Sequence, residues 1–409
     1  MMPNTQHPTH EQRPTGILGP LTQLGKRLLS GNQLEGLRLA ATAWILARLV
    51  LLIWGAVLWR THLIPAESVS QPADEARGSR GEARTLLVDV WKRWDAFHYE
   101  AILEEGYRER NLSVHFPLYP LLARVVGSLL SLPAIPALLL VSHVCSFLAL
   151  LALYQVARRA METAIARRST AAAVLFPTSF FLFAPFTESL SLLLTLVTVW
   201  LVHERRWFAA CLAGLAAGLS RPTVLPLAAL IGWAAIQDWS SRGWAARITR
   251  LLVAATPILG TAAFLAWRTS VGLPSIESLQ AEAWGRTMRW PWQTLLDIPR
   301  WISSGSFTLA SWAGLAILLL MLIAVVWGWR KLPMGWNLYQ VSLLLLLTVS
   351  ERDLEPLTAI PRYALLMFPL YAVLALWAHT PRRRLVAVTA GFASQLLLSG
   401  QFFMGGWIG

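Results

Sequence analysis

From residue 37 onward the chain is a series of apolar runs long enough to cross a bilayer, parted by loops rich in arginine. A spanning helix needs about 20 apolar residues, and fewer when other helices surround it. The runs lie near 37–59, 137–157, 170–186, 188–203, 207–220, 222–237, 249–269, 308–329, 336–350, 363–379 and 385–404. Eleven such segments predict an all-α polytopic membrane protein. Several are short and end at proline, as at Pro185 and Pro222. Such breaks are tolerated where neighbouring helices or a cavity satisfy the freed backbone groups. Composition agrees: 14% of residues are charged, against about 25% in a soluble domain. The 21 Trp residues suit the membrane–water boundary.

The net charge of +13 would also suit nucleic acid, but the basic residues form short clusters between apolar runs: Arg158/Arg159, Arg167/Arg168, Arg205/Arg206, Arg330/Lys331 and Arg382 to Arg384. None is interleaved with aromatic residues on a soluble segment, as a single-strand binder requires. Positive-inside topology accounts for them. With the N-terminal tail (1–36, with Lys26 and Arg27) in the cytoplasm, the loops at 158–169, 203–206, 238–250, 330–335 and 380–384 all fall inside, and all carry Arg or Lys. The outer loops at 270–307 and 351–362 are balanced in charge. Reading 207–237 as one span would invert everything after it, so two spans are expected there.

No cleavable signal precedes the first run, which is therefore expected to anchor the chain in the cell membrane. Cys145 and Cys211 both sit in apolar runs, which argues against a disulfide framework or a thiolate metal site. Arg outnumbers Lys 32 to 3, a bias that fits a bacterial, GC-rich genome. Residues 37–409 read as a single transmembrane domain whose first outer loop runs from 60 to 136. That loop would hold a polar, flexible front part from Pro65 to Gly81 and two interfacial helices. One of them, residues 116–131, is apolar enough for a short span, but that reading breaks the charge pattern. A helix lying in the outer interface, with Arg124 snorkelling, keeps it.

Ionisable residues at membrane depth or at the mouth of a helix bundle are functional candidates. The densest group is Trp91-Lys92-Arg93-Trp94-Asp95-Ala96-Phe97-His98-Tyr99. On a helix, Asp95, His98 and Tyr99 share a face through i,i+3 and i,i+4 spacing. A carboxylate held there can take a proton from a hydroxyl; a helix cap beside an interfacial aromatic anchor fits the same spacing. Glu188, in Pro185-Phe186-Thr187-Glu188-Ser189, falls at the expected outer start of a span, as a functional acid or as a dipole cap. Arg221 and Arg362 also fall at outer ends. Their guanidinium forks suit a lipid phosphate, and equally an ion pair with Glu351, Asp353 or Glu355. Arg48 lies in mid-span, where a structural ion pair is expected. His115 stands before Phe116-Pro117-Leu118-Tyr119-Pro120 without a companion at metal-ligand spacing, so no metal and no cofactor are expected. There is no Walker A loop, dinucleotide glycine fingerprint or Asp-x-Asp in a soluble segment. A sugar donor would therefore have to arrive from within the membrane. The rival class, a transporter or lipid flippase, should show repeated halves and charges near mid-membrane. No such repeat is seen.

RWDAFHYEAILEEGY followed by HFPLYPLL resembles the first outer loop of the PIG-V-like mannosyltransferases, the family of the second mannosyltransferase of GPI-anchor synthesis. FPTSFFLFAPFTESL (176–190), AGLSRPTVL (217–225) and PRYALLMFPLY (361–371) match in the same order. The resemblance implies a GT-C fold with an acidic residue in the outer loop, and a dolichyl- or polyprenyl-phosphate-mannose donor. By position, Asp95 would be the base and Glu188 a second acidic site residue. Arg221 and Arg362 would face the phosphate, while Trp94, His98, Tyr99, Tyr119 and Tyr363 would hold sugar or prenyl chain. The sequence departs from the family pattern at His115, which leaves that residue's role open. A bacterial member would have no GPI to modify, so the glycan, glycolipid or protein acceptor is not implied.

Overall fold

Backbone amides in hydrocarbon must be satisfied within their own segment, so a chain this apolar is expected to cross as helices. The computed structural model describes residues 31–65 and 81–408, apart from Asp238, Arg242 and Asp353. Most of the N-terminal tail, with Lys26 and Arg27, and residues 66–80 of the polar loop front lie outside the described residues.

The first crossing helix, α1 (Gly31–Arg60), leads into the loop region with α2 (Glu82–Leu87), α3 (Asp95–Glu105) and α4 (Leu118–Leu130). Next come α5 (Ala134–Ala160), α6 (Thr163–Val174), α7 (Glu188–His203), α8 (Trp207–Ser220), α9 (Leu227–Ile236) and α10 (Trp244–Ser270). Between α10 and the next long apolar helix lie α11 (Ile276–Trp284), strand β1 (Arg286–Met288) and α12 (Pro291–Ser303). The chain closes with α13 (Leu309–Gly328), α14 (Met334–Leu347), β2 (Ser350–Arg352), α15 (Ile360–Tyr363), α16 (Phe368–Trp377) and α17 (Pro381–Phe403).

Among the described residues, five helices are long and apolar enough to cross a membrane: α1, α5, α10, α13 and α17. The expected span at 363–379 is a broken one, bent by 86° between Ile360–Leu366 and Phe368–Trp377. Four more, α7, α8, α9 and α14, are apolar but only 10 to 16 residues long. The eleventh needs correction. Residues 170–186 are not a helix: α6 ends at Val174, and the chain then runs irregularly through a 3-10 turn at Ser179–Leu182. Pro177 and Pro185 lack the amide a helix requires. This non-helical stretch survives because Phe176, Phe180, Phe181, Phe183 and Phe186 bury it in protein.

Residues 207–237 do form two antiparallel segments. Trp207 at the start of α8 and Gln237 just past α9 both meet Arg250, while Ser220 and Arg221 between them lie at the opposite end. Helices α8 and α10 pack at near backbone contact. A Cβ added to Gly218 would lie 2.2 Å from the Pro257 carbonyl, and one added to Gly260 2.3 Å from that of Leu215. Small residues allow this approach, which lets helices associate without a hydrophobic driving force. The expected interfacial helix is α4: Tyr119, Ala123 and Gly127 face protein, and Leu121, Val125 and Leu129 are exposed. Arg124 donates to the Leu103 carbonyl, tying α4 to α3.

Gly218→Val forces α8 and α10 apart. It should lower the thermal midpoint of the detergent-solubilised protein by an amount equal to about 1–3 kcal/mol of overpacking. Gly232→Ala, where a Cβ meets nothing within 4 Å, should leave the midpoint in place.

Candidate active site

Four separate chain segments deliver charge to one end of the bundle. Trp94 takes a left-handed φ of 49°, turning the chain so that Asp95 opens α3. The N-cap of α3 is Trp94, so Asp95 is the first residue of the helix and not its cap. Glu188 opens α7 and is fully buried. Arg221 follows the last residue of α8, and Arg362 sits in α15 just before the 86° bend.

Arg362 joins them. Its Nη1 donates to Asp95 Oδ2 at 2.6 Å, and its Nε donates to Glu188 Oε1. Arg221 Nη1 donates to the same Glu188 oxygen at 2.5 Å. Both guanidinium groups also lie over aromatic faces, Arg221 over Tyr363 at 4.4 Å and Arg362 over Phe186 at 4.6 Å. Two cations thus face two carboxylates in a site where an unpaired charge would be costly. Their partners are Glu188 and Asp95; no ion pair joins either to Glu351 or Glu355, while Asp353 lies outside the described residues. Burial opposes the charge on Asp95, but the Arg362 guanidinium overcomes it and holds the carboxyl well below the usual carboxylate range. His115 Nε2 lies 3.9 Å from Asp95 Oδ2. Burial pushes this imidazole down to about 4, so it is neutral at physiological pH.

The network forms one wall of a cavity of about 330 Å³. Asp95, Tyr99, His115, Arg221, Arg362 and Tyr363 all line it. The other expected residues stand back. Tyr119 packs behind Tyr99 with ring centroids 5.1 Å apart and is hydrogen-bonded to the Leu138 carbonyl and Ser142. His98 lies against His115 and Trp284, at 4.9 and 6.3 Å. Trp94 packs edge-on against Trp407, which itself lines the cavity. Glu188 is behind the wall, held by the two arginines.

A second group of lining residues carries no signal in the sequence. It holds Trp284, Arg286, Met288 and Arg352. Strands β1 and β2 pair antiparallel, with Arg286 directly across from Arg352. Each sits in a loop whose overall charge balance concealed it, and only strand pairing joins the two. Arg352 pairs with Glu355 at 2.8 Å. Glu351 is buried beside it and receives the Leu357 N–H at 2.9 Å; burial pushes its carboxyl up to about 7.

The expectation for Arg48 also needs correction. Among the described residues no carboxylate pairs with it; its guanidinium lies 4.6 Å over the Trp91 ring, and Nη1 has no hydrogen-bond partner. A cation–π contact stands where an ion pair was expected. Among the described residues no three His, Cys, Asp or Glu gather as metal ligands.

Apolar helices, a bend that sets Arg362 between two acids, and an adjoining cavity of small-ligand size define a multi-pass membrane protein with a polar site at one end of its bundle. Residues 40–237 match the model of the family described as Mannosyltransferase (PIG-V), so the resemblance read from the motifs holds across that stretch. Asp95, Glu188 and Arg221 fall inside it, and Arg362 beyond it. Over 205 residues the chain is 29% identical to GPI alpha-1,6-mannosyltransferase 2 of Rattus norvegicus, covering 47% of this chain and 41% of that protein. Against the Mus musculus protein of the same name, identity is 29% over 217 residues, covering 50% and 43%. The match thus spans less than half the length of either relative. Among solved structures, the apo oligosaccharyltransferase of Archaeoglobus fulgidus aligns with 90% of this chain and 56% of its own, at 12% identity and a TM-score of 0.42. The same protein with Zn and sulfate aligns at 13% identity and 0.41, covering 87% and 53%.

Arg362→Gln should cost about 3–5 kcal/mol of stability, because it leaves Asp95 and Glu188 facing each other without their shared cation; thermal unfolding in detergent measures this. His115 gives a sign that can be checked by pH. Its folded value of about 4 lies below the 6.5 of an exposed imidazole, so between those values the unfolded chain binds more protons. Its contribution is present above pH 6.5 and is lost as pH falls towards 4. His115→Gln should flatten that part of a stability-against-pH curve.

Proposed function

We propose that this chain is a membrane glycosyltransferase that moves mannose from a polyprenyl-phosphate donor to an acceptor hydroxyl, with Asp95 as the base. The observation that carries the reading is that Asp95 is the one carboxylate among the described residues lining the cavity. The matched mannosyltransferase family and the named mannosyltransferase relatives support the sugar. The charge bias of the loops supports a cell-membrane protein with its N-terminus inside and this site at the outer face.

In the reaction the acceptor oxygen gives its proton to Asp95 and attacks the anomeric carbon. The carbon–oxygen bond to phosphate breaks on the opposite side, the configuration inverts, and the phosphate leaves with the bonding pair. That departure needs no acid, but charge grows on the phosphate and must be met. Arg221 and Arg362 are already matched by Glu188 and Asp95, so the work falls to the second group of lining residues. Arg286 lines the cavity and makes no ion pair with a described residue, so a phosphate there would supply its partner. Donor binding also strengthens the base: a second anion in the cavity raises the proton affinity of Asp95 by like-charge repulsion. Arg362 thus keeps the base ionised, and the donor makes it reactive. The stacking surfaces for sugar are Trp284, Tyr363 and Trp407.

The test is transfer of radiolabelled mannose from polyprenyl-phosphate-mannose in membranes at matched expression. Asp95→Asn should abolish transfer; because it removes one partner of a buried pair, the thermal midpoint is read alongside, and undiminished turnover removes Asp95 from the role of base. Arg286→Gln should raise the donor KM about tenfold, the effect of one charge-assisted hydrogen bond, with a smaller change in kcat.

A further inference from the structure

One buried group in the active-site cavity has no part in the transfer as proposed above. His115 lines that cavity and is 8% exposed. Its backbone is pinned at both polar groups. The N–H donates to the Leu112 carbonyl at 3.0 Å, and the carbonyl accepts from the Tyr107 hydroxyl at 2.9 Å. The ring is held as firmly. His98 packs beside it with ring centroids 4.9 Å apart, and Tyr99 meets it edge-on at 5.1 Å. Tyr99 is braced in turn by Tyr119, whose hydroxyl is fixed on the Leu138 carbonyl and Ser142. An imidazole clamped in this way aims its two nitrogens in set directions.

The nitrogens have unequal surroundings. Nδ1 is buried and has no hydrogen-bond partner. Nε2 lies 3.9 Å from Asp95 Oδ2, too far for a direct bond. The neutral ring carries one proton, on one nitrogen or the other. On Nδ1 it would be a buried donor without an acceptor; on Nε2 it faces the ionised Asp95 and is favoured by it. The donor therefore stands on the Asp95 side. A polar gap of this width suits a single oxygen between the two groups, since two hydrogen bonds of about 2.8 Å close over it. Such an oxygen meets a donor on one side and an acceptor on the other. It must therefore accept from His115 and give its own proton towards Asp95, which is the polarity of a hydroxyl.

We propose that His115 and Asp95 form a two-point seat for the acceptor hydroxyl, in which His115 Nε2–H donates to the same oxygen whose proton Asp95 takes. The inference rests on the transfer reading in naming that hydroxyl as the acceptor's. As the proton moves to Asp95 Oδ2 and the oxygen attacks the anomeric carbon, the negative charge passing through the oxygen is met by the Nε2–H. That proton stays on the imidazole, so the balance of the reaction is unchanged. His98, Tyr99 and Tyr119 act through His115 as positioning residues.

Two variants of the full-length protein separate a donor from a packing ring. His115→Phe keeps a ring and drops the donor; His115→Gln drops the ring and keeps an N–H at about the reach of Nε2. With radiolabelled polyprenyl-phosphate-mannose in membranes at matched expression, His115→Phe should lower kcat about hundredfold, the effect of losing one donor to developing charge. Its donor KM should not move. His115→Gln should stay within about tenfold of wild type. The reverse order, an equal loss in both or full activity in both overturns the seat. A second measurement does not depend on transfer. In nanodiscs, NMR of protein carrying labelled histidine, with the His115 signals identified by their loss in His115→Gln, should place the proton on Nε2. That signal should shift on adding octyl mannoside, a probe rich in hydroxyls. A proton on Nδ1, or an Nε2–H that the probe leaves unmoved, overturns the seat whether or not wild type transfers mannose. Wild type that transfers none, with an Nε2–H that the probe moves, sinks the transfer reading and leaves a hydroxyl seat standing.

Discussion

The fold at the active end depends on one guanidinium shared between two acids. Arg362 meets Asp95 from the extramembrane loop and Glu188 from the start of a buried helix. Arg221 completes the set from the end of another. Each of these charges would be costly to bury alone, and together they are neutral. The loop, two helix ends and the bent span are therefore held in register by electrostatics where apolar packing has no directional preference. The 86° bend has the same logic. A straight span would carry Arg362 along the helix axis, whereas the break after Leu366 leaves the segment before it free to lie across the bundle.

A neutral cluster has a chemical consequence. Arg221 and Arg362 already have their anions, and Arg362 keeps Asp95 ionised. Further positive charge lines the cavity on a two-stranded ladder that sets Arg286 across from Arg352, itself paired with Glu355. Under the proposed transfer, Asp95 would take the hydroxyl proton and Arg286 would face the leaving phosphate. The aromatic residues between them, Trp284, Tyr363 and Trp407, suit the faces of a sugar ring.

Much of this was open to sequence reading, and the reasons differ by residue. Asp95 and Tyr99 stood out through helical spacing, Glu188 and Arg362 through being charges at the ends of apolar runs. Their mutual pairing could not be read, because it joins positions separated by 174 and 267 residues. Residues 170–186 were misread as a span because hydropathy measures burial and not backbone shape; two prolines and a set of phenylalanines make a buried irregular chain look like a helix. Arg48 was misassigned for a related reason: its aromatic partner, Trp91, lies in the loop region and gives no charge signal.

The residue types alone set the apolar solvent, the helical class and the standing of Glu188, Arg221 and Arg362 at the ends of apolar runs. Those follow from composition and from the cost of exposing amides or charges to hydrocarbon, which act locally along the chain. Which arginine answers which carboxylate is settled by how the segments pack in three dimensions. Such choices depend on distances of a few ångströms between segments far apart in sequence, and Coulomb energy in a low-dielectric interior is steep on that scale.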